Sequence, residues 1–243
     1  MEGEGEAGAV RVLDVRDLPV EAVELEPVVA HLRGDGVVAY PTETVYGMGT
    51  RCSEAGVARL ARMKGRDPTK PFILLVADTS WVEGLAWTPA ARELARVFWP
   101  GALTLVLADP EGVFPGAVHG PGGGVAVRVS PHPLVRRILE ALDAPLTSTS
   151  VNRPGESPAR SGSEAVAVAR ALAGGAEGAA GTAQADETAA QGKEAILVLD
   201  AGTLPPSGPS TIVDCTRPEP RVLREGTVPV GRLRCLLPEL DGC

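Results

Sequence analysis

VVAYPTETVYGMGT, residues 37–50, decides how this chain is read, together with KGRDPTKPFILLV, residues 64–76, which follows after one short helical segment. The first run is apolar from Val37 to Tyr40 and breaks at Pro41. Four unbroken apolar residues are short enough for a buried strand. A cluster of hydroxyls, one carboxylate and two glycines follows: Thr42, Glu43, Thr44, Tyr46, Gly47 and Gly49. In open α/β sheets, ligands collect beyond the carboxyl ends of strands. The second run sets Lys64, Arg66 and Lys70 within seven positions. A guanidinium fork suits bidentate phosphate binding and an ammonium supplies a point charge. Together they suit a small polar substrate and a polyphosphate. Each feature also has a plainer reading. Hydroxyls make turns, and cations favour the negative end of a helix dipole.

Outward from this stretch, strands and helices alternate. Val10–Val15 reads as a first strand, and 26–33 as a helix stopped by Gly34 and Gly36. Ser53 is an N-cap for a helix to about Lys64, which Asp67-Pro68 ends, leaving the three cations on a loop. As loop cations they are expected to matter little for stability. Pro71–Ala77 is a further apolar run, and Thr88-Pro89 opens a helix to about Val97. Strands are predicted at 103–108, 125–129 and 145–149, with a helix from Ser130-Pro131 to Leu142 and another over 163–173. Strands follow near 196–199, 211–215 and 221–224, then a helix near 229–237. This predicts an α/β (α+β) fold: a single domain, residues 10–243, with a twisted mixed β-sheet flanked by helices. Residues 1–9 read as a disordered tail, and the Ala/Gly/Thr-rich 174–194 as a low-complexity loop.

Composition narrows the function classes. The chain has 243 residues, 44% of them hydrophobic, which suffices for a real core. A net charge of −8 argues against a generally basic nucleic-acid coat, though not against a local basic cleft. Cys52, Cys215, Cys235 and Cys243 form no C-x-x-C pair, so neither a zinc site nor a redox motif is supported. The acidic N-terminus lacks the pattern of a secretory signal, and no apolar run reaches the roughly 18 residues of a membrane span. The expected location is cytoplasmic.

Other candidates lie further along. Arg128 sits in the apolar run VAVRV, where a charge is costly unless paired. It is either a fork for a carboxylate or a residue on an exposed sheet face. The preceding GPGGG, 120–124, allows close approach of a ligand to backbone, without the order of a P-loop. Ser148, Ser150 and Asn152 follow a strand and can donate to anionic oxygens. Ser157, Ser210 and Arg224 complete the set, the last with a surface salt bridge to Glu225 as its plainer reading. His31, His119 and His132 show no metal-ligand spacing, and no metal site is predicted.

PTETVYG followed by K-x-R and a further Lys resembles the YrdC-type family of threonylcarbamoyl-AMP synthases. WPGALTLVL (99–107), VAVRVSPHP (125–133), TSTSVN (147–152), PSTIVD (209–214) and VLREG (222–226) agree in order, so the resemblance covers most of the chain, in its single-domain form. It implies a YrdC-like fold and a nucleotidyltransferase that converts L-threonine, bicarbonate and ATP, with Mg²⁺, to threonylcarbamoyl-AMP and pyrophosphate. The product would supply threonylcarbamoyl modification of tRNA adenosine through downstream transferase proteins. The resemblance assigns Thr42, Thr44, Arg128, Ser150 and Ser210 to threonine. It assigns Lys64, Arg66, Lys70, Gly124, Ser148, Asn152, Ser157 and Arg224 to ATP, with Lys64 and Arg66 also as catalytic residues. Three positions depart from the family pattern: Asp67 follows Arg66 where proline is common, Leu75 stands where some relatives carry histidine near the amino acid, and SVN replaces SAN. Two rivals remain at this stage. One is a YrdC-like module that binds tRNA or double-stranded RNA without turnover, which 3% aromatics disfavours. The other is a carbamoyl-transfer domain of hydrogenase maturation, which would carry zinc-finger cysteine pairs.

Overall fold

The computed structural model describes residues 10–67, 70–175 and 196–242. The tail at 1–9 and all but the first two residues of the 174–194 loop lie outside the described residues. The strands are β1 (Arg11–Asp14), β2 (Val37–Tyr40), β3 (Gly47–Gly49), β4 (Ile73–Leu75), β5 (Leu103–Ala108) and β6 (Gly124–Arg128). They continue with β7 (Leu146–Ser150), β8 (Ile196–Asp200), β9 (Thr211–Asp214), β10 (Arg221–Arg224) and β11 (Asp241–Gly242). The helices are α1 (Glu26–Arg33), α2 (Glu54–Lys64), α3 (Pro89–Phe98), α4 (Pro133–Leu142), α5 (Gly162–Gly175) and α6 (Val230–Leu236). The strands form one sheet in the order β1-β8-β2-β3-β7-β4-β6-β5-β9-β10-β11. The sheet is mixed: β8 runs parallel to β1 and β2, and β4 to β6, whereas β7 runs antiparallel to β3 and β4.

Side chains alternate between the two faces of a strand, and here the faces differ in cover. Ala39, Met48, Leu74, Leu105, Val127, Val198 and Val213 enter a core completed by Leu60 of α2, Leu94 of α3, Ala165 of α5 and Leu233 of α6. Val38, Tyr40, Leu75, Leu146 and Leu197 point the other way, against Leu32 of α1 and Ile138 of α4. Those two helices cover only part of their face. Period-2 alternation carries Ser148, Ser150 and Arg128 onto the uncovered remainder, which is the floor of a cleft.

Three local features differ from expectation. α2 ends at Gly65, not at Asp67-Pro68. Gly65 adopts the left-handed conformation at φ +52° and its N–H closes on Ala61 and Arg62 carbonyls. Lys64 is therefore the last helical residue rather than a loop residue. α4 starts at Pro133 rather than at Ser130-Pro131, because a residue that precedes proline is pushed out of the helical region and proline itself suits the first helical position. His132 is accordingly the extended N-cap. Finally, β3 is a strand with no β-branched residue. It pairs with β7 so closely that a Cβ on Gly49 would lie 1.7 Å from the Thr147 carbonyl oxygen.

Candidate active site

A cleft of about 390 Å³ opens on the uncovered sheet face. Its lining includes Thr42 and Thr44 from the loop after β2, Arg66 and Lys70, Arg128 at the end of β6, and Ser148, Thr149 and Ser150 of β7. Asn152, Ser210 and Arg224 complete the far wall. A hollow of about 270 Å³ adjoins it, sharing Arg66, Lys70, Thr149, Ser150 and Asn152, and adds Lys64 and Gly65. Gly124 lines neither. It sits at the opposite end of β6 from Arg128, where a Cβ would lie 2.6 Å from Val106 Cγ1 and 2.8 Å from Thr216 Cγ2. Its smallness serves strand packing there. Ser157 also lines neither, although its neighbours Glu156 and Pro158 do. Leu75 is buried in the core beneath α1 and α4, one strand from Arg128 in register.

The hydroxyls differ in what they have left to offer. Thr42 Oγ1 donates to the Val45 carbonyl at 2.7 Å and accepts from the N–H groups of Thr44 and Val45 at 3.1 and 3.3 Å. With Thr44 Oγ1 also at 2.9 Å, that hydroxyl is spent on shaping the turn. Thr44 Oγ1 additionally accepts from Arg128 Nη2 at 3.4 Å. Ser150 Oγ donates to Asn152 Oδ1 at 2.8 Å. Ser210 Oγ lies 2.8 Å from Thr104 Oγ1 at the base of the cleft.

The cations are held by the fold. Arg66 Nε donates to the Lys70 carbonyl at 2.5 Å, Nη2 to the Pro71 carbonyl at 2.7 Å and Nη1 to Thr149 Oγ1 at 2.9 Å, and its Cζ stands 4.4 Å over the Phe72 ring. Burial pushes its pKa down from the usual arginine value. Arg66 is thus a fixed fork and not the solvated loop cation the sequence suggests. Lys64 Nζ donates to the Ser150 and Asn152 carbonyls at 3.0 and 2.5 Å and to Asn152 Oδ1 at 3.1 Å. Burial first, and then the like charge of Arg66, bring its pKa down to about 8. All three of its contacts go to the last residue of β7 and to Asn152 just beyond it, so Lys64 orders the S-x-N turn. Arg224 makes no salt bridge with Glu225, whose Oε1 accepts from the Val230 N–H at 2.7 Å. It donates instead to the Ser210 carbonyl, at 2.7 Å from Nη2. Burial and then the nearby Arg128 guanidinium push its pKa down.

Arg128 is buried, and its pairing was not legible in advance. Nε donates to the Gly101 carbonyl at 3.1 Å and Nη2 to Glu43 Oε1, while Glu43 Oε2 accepts from Ser130 Oγ at 2.7 Å. A charge in VAVRV needs a partner, but nothing local marks Glu43, 85 residues away, as that partner. Thr149 was missed for the same reason: only the fold brings it to Arg66. A larger cavity, about 530 Å³, lies beyond Pro100 and is walled by Trp87 and Trp99. Its guanidinium groups are engaged internally: Arg96 with Glu93 and Arg136 with Glu140, each at 2.7 Å, and Arg92 over the Trp87 ring. The smaller cleft gathers Arg66, Lys70, Arg128 and Arg224 on one face of a chain with net charge −8, with Arg66 and Arg224 held by carbonyls and Arg128 by Glu43. Such convergence favours anionic ligands.

The Sua5/YciO/YrdC family model, described as "Telomere recombination", matches residues 30–175. The chain belongs to the Sua5/YciO/YrdC family. A threonylcarbamoyl-AMP synthase of Stenotrophomonas maltophilia is 44% identical over 146 residues, covering 58% of this chain and 78% of the relative. A putative threonylcarbamoyl-AMP synthase of Mycobacterium leprae is 35% identical over 230 residues, 91% of each chain. Among solved structures, Sua5 of P. abyssi complexed with L-threonine superposes with a TM-score of 0.77 at 28% identity, covering 96% of this chain and 62% of that one. YciO of E. coli shares the fold, with a TM-score of 0.68 at 21% identity. The family model spans most of the cleft: of its cations only Arg224, and of its hydroxyls only Ser210, lie beyond residue 175.

Proposed function

We propose that this member of the Sua5/YciO/YrdC family is a threonylcarbamoyl-AMP synthase. The observation that carries the reading is the open sheet face on which four cations converge beside the hydroxyls of Thr44, Ser148, Ser150 and Ser210. That arrangement matches an amino-acid carboxylate and a nucleotide polyphosphate held side by side, and the relatives named above are synthases of this kind. The threonine α-amine attacks CO2 derived from bicarbonate, forming an N–C bond and losing a proton. A carbamate oxygen then attacks the α-phosphorus of ATP, the bond from Pα to the bridging oxygen breaks, and pyrophosphate leaves. The reaction class is nucleotidyl transfer, and its product feeds a tRNA-modifying transferase.

Little covalent help from the protein is needed. The work is to align two substrates and neutralise phosphate charge. The fixed Arg66 fork and Lys70 take the phosphates, Arg128 takes the threonine carboxylate, and Arg224 faces both. Lys64 supports the S-x-N turn that closes the phosphate side. Mg²⁺ would accompany ATP and supply further charge neutralisation at the phosphates. Among the described residues no helix is long and apolar enough to cross a membrane.

The deciding assay is pyrophosphate release from MgATP in bicarbonate buffer with and without L-threonine. Release that does not depend on threonine removes the assignment. At the phosphate side, Arg66→Ala is expected to lower kcat/KM for ATP by about one to two decades, the equivalent of charge-assisted bonds worth roughly 1.5–3 kcal/mol. Arg66→Lys recovers part of this, since it keeps charge and loses the planar fork. The melting temperature falls as well, because Arg66 also ties Lys70, Pro71 and Thr149 together. Wild-type ATP kinetics in Arg66→Ala would take this residue out of the site.

A further inference from the structure

We infer that Glu43 is a positioning residue for threonine, acting through Arg128. The inference rests on the functional reading above and adds to it a residue that touches neither substrate. Glu43 does not line the cleft. It stands behind Arg128, and its two carboxylate oxygens are divided between Arg128 Nη2 and Ser130 Oγ. The Gly101 carbonyl holds Arg128 Nε at 3.1 Å. Nε and Nη2 form one edge of the guanidinium, so Gly101 and Glu43 together fix that edge. Among the described residues no hydrogen bond engages Nη1, which leaves its two donors for a ligand in the cleft that Arg128 lines.

The local chain builds this arrangement. Pro41 breaks β2, and Thr42 Oγ1 closes the following turn by accepting from the Thr44 and Val45 N–H groups. Glu43 is the residue at the apex of that turn, and it meets Arg128 at the end of β6. A long side chain held at one anchor swings, and held at two anchors it presents one geometry. Without Glu43, Arg128 keeps its charge and loses its aim.

The test compares Michaelis constants for threonine and for ATP in pyrophosphate release, on wild type, Glu43→Ala, Glu43→Gln and Glu43→Asp. Glu43→Ala is expected to raise the threonine KM about ten- to a hundred-fold, with the ATP KM within about twofold. Glu43→Gln recovers most of the loss, because its amide oxygen still accepts from Arg128 and its NH2 can donate to Ser130 Oγ. Glu43→Asp keeps the charge but is one methylene short, so its threonine KM rises as well. This last variant carries the test should the alanine variant fail to fold. A purely structural role predicts lower melting temperatures with both KM values unchanged. Unchanged threonine KM in Glu43→Ala or Glu43→Asp, or threonine and ATP KM rising by the same factor, overturns the inference. A wild type without threonine-dependent release instead sinks the functional reading, and this inference with it.

Discussion

L-Valine is expected to support pyrophosphate release at least ~100-fold more slowly than L-threonine, compared as kcat/KM. The two amino acids are nearly isosteric, so shape alone cannot separate them. The separation comes from hydrogen bonding. The cleft floor offers Ser148, Ser150 and Ser210 hydroxyls beside Thr44. A substrate hydroxyl can add a hydrogen bond to these partly engaged groups, whereas a valine methyl covers their remaining lone pairs and offers none. Covering a polar group without its hydrogen bond costs about 1–3 kcal/mol, which is of the order this discrimination needs. Thr42 is not expected to read the substrate, because its hydroxyl is already committed to the Val45 carbonyl and the turn amides. Steady-state pyrophosphate release with each amino acid checks this. Equal rates would exclude threonine as the substrate the cleft selects.

Arg128→Met is expected to cost both activity and stability. Removing the guanidinium takes away the donor for the substrate carboxylate, and a loss of about two decades or more in kcat/KM for threonine is expected. It also strands the Glu43 carboxylate, whose side chain is only 22% exposed beside an arginine side chain 7% exposed. Breaking one side of such a pair costs roughly 3 kcal/mol, which in a chain of this size lowers Tm by about 6–12 °C. The double variant Arg128→Met/Glu43→Gln separates the two effects. It no longer buries an unpaired charge, so most of the stability returns while threonine turnover stays lost. Thermal melts and kinetics on both variants measure this. Recovery of turnover along with stability in the double variant would show that Arg128 supports the fold without binding substrate.

Much of this architecture is legible from local chemistry. The caps at Ser53 and at Thr88-Pro89 are written in side-chain oxygens that reach N–H groups three residues on. The alternation in VAVRV puts Val125 and Val127 on one face and Arg128 on the other, which is a short-range steric fact. The cations of K-x-R and the hydroxyls of PTETVYG suit an anionic ligand by type and spacing, although a helix end and a turn account for the same residues. These signals span a few residues, and the chain decides them before it folds.

Only the tertiary structure decides which polar groups are spent and which remain available. Thr42 and Thr44 look alike in sequence, yet one hydroxyl closes a turn and the other faces Arg128. Lys64 and Arg66 look like one cationic pair, yet Lys64 turns toward Ser150 and Asn152 while Arg66 spans both hollows. Gly49 forms a strand because β7 approaches too closely for a side chain, and Gly124 packs against Val106 rather than a ligand. For Thr44, Lys64, Gly49 and Gly124 the deciding partner lies tens of residues away or across the sheet, whereas Thr42 is spent within its own turn. Hydrogen-bond saturation and burial depend on that partner, and no local pattern contains it.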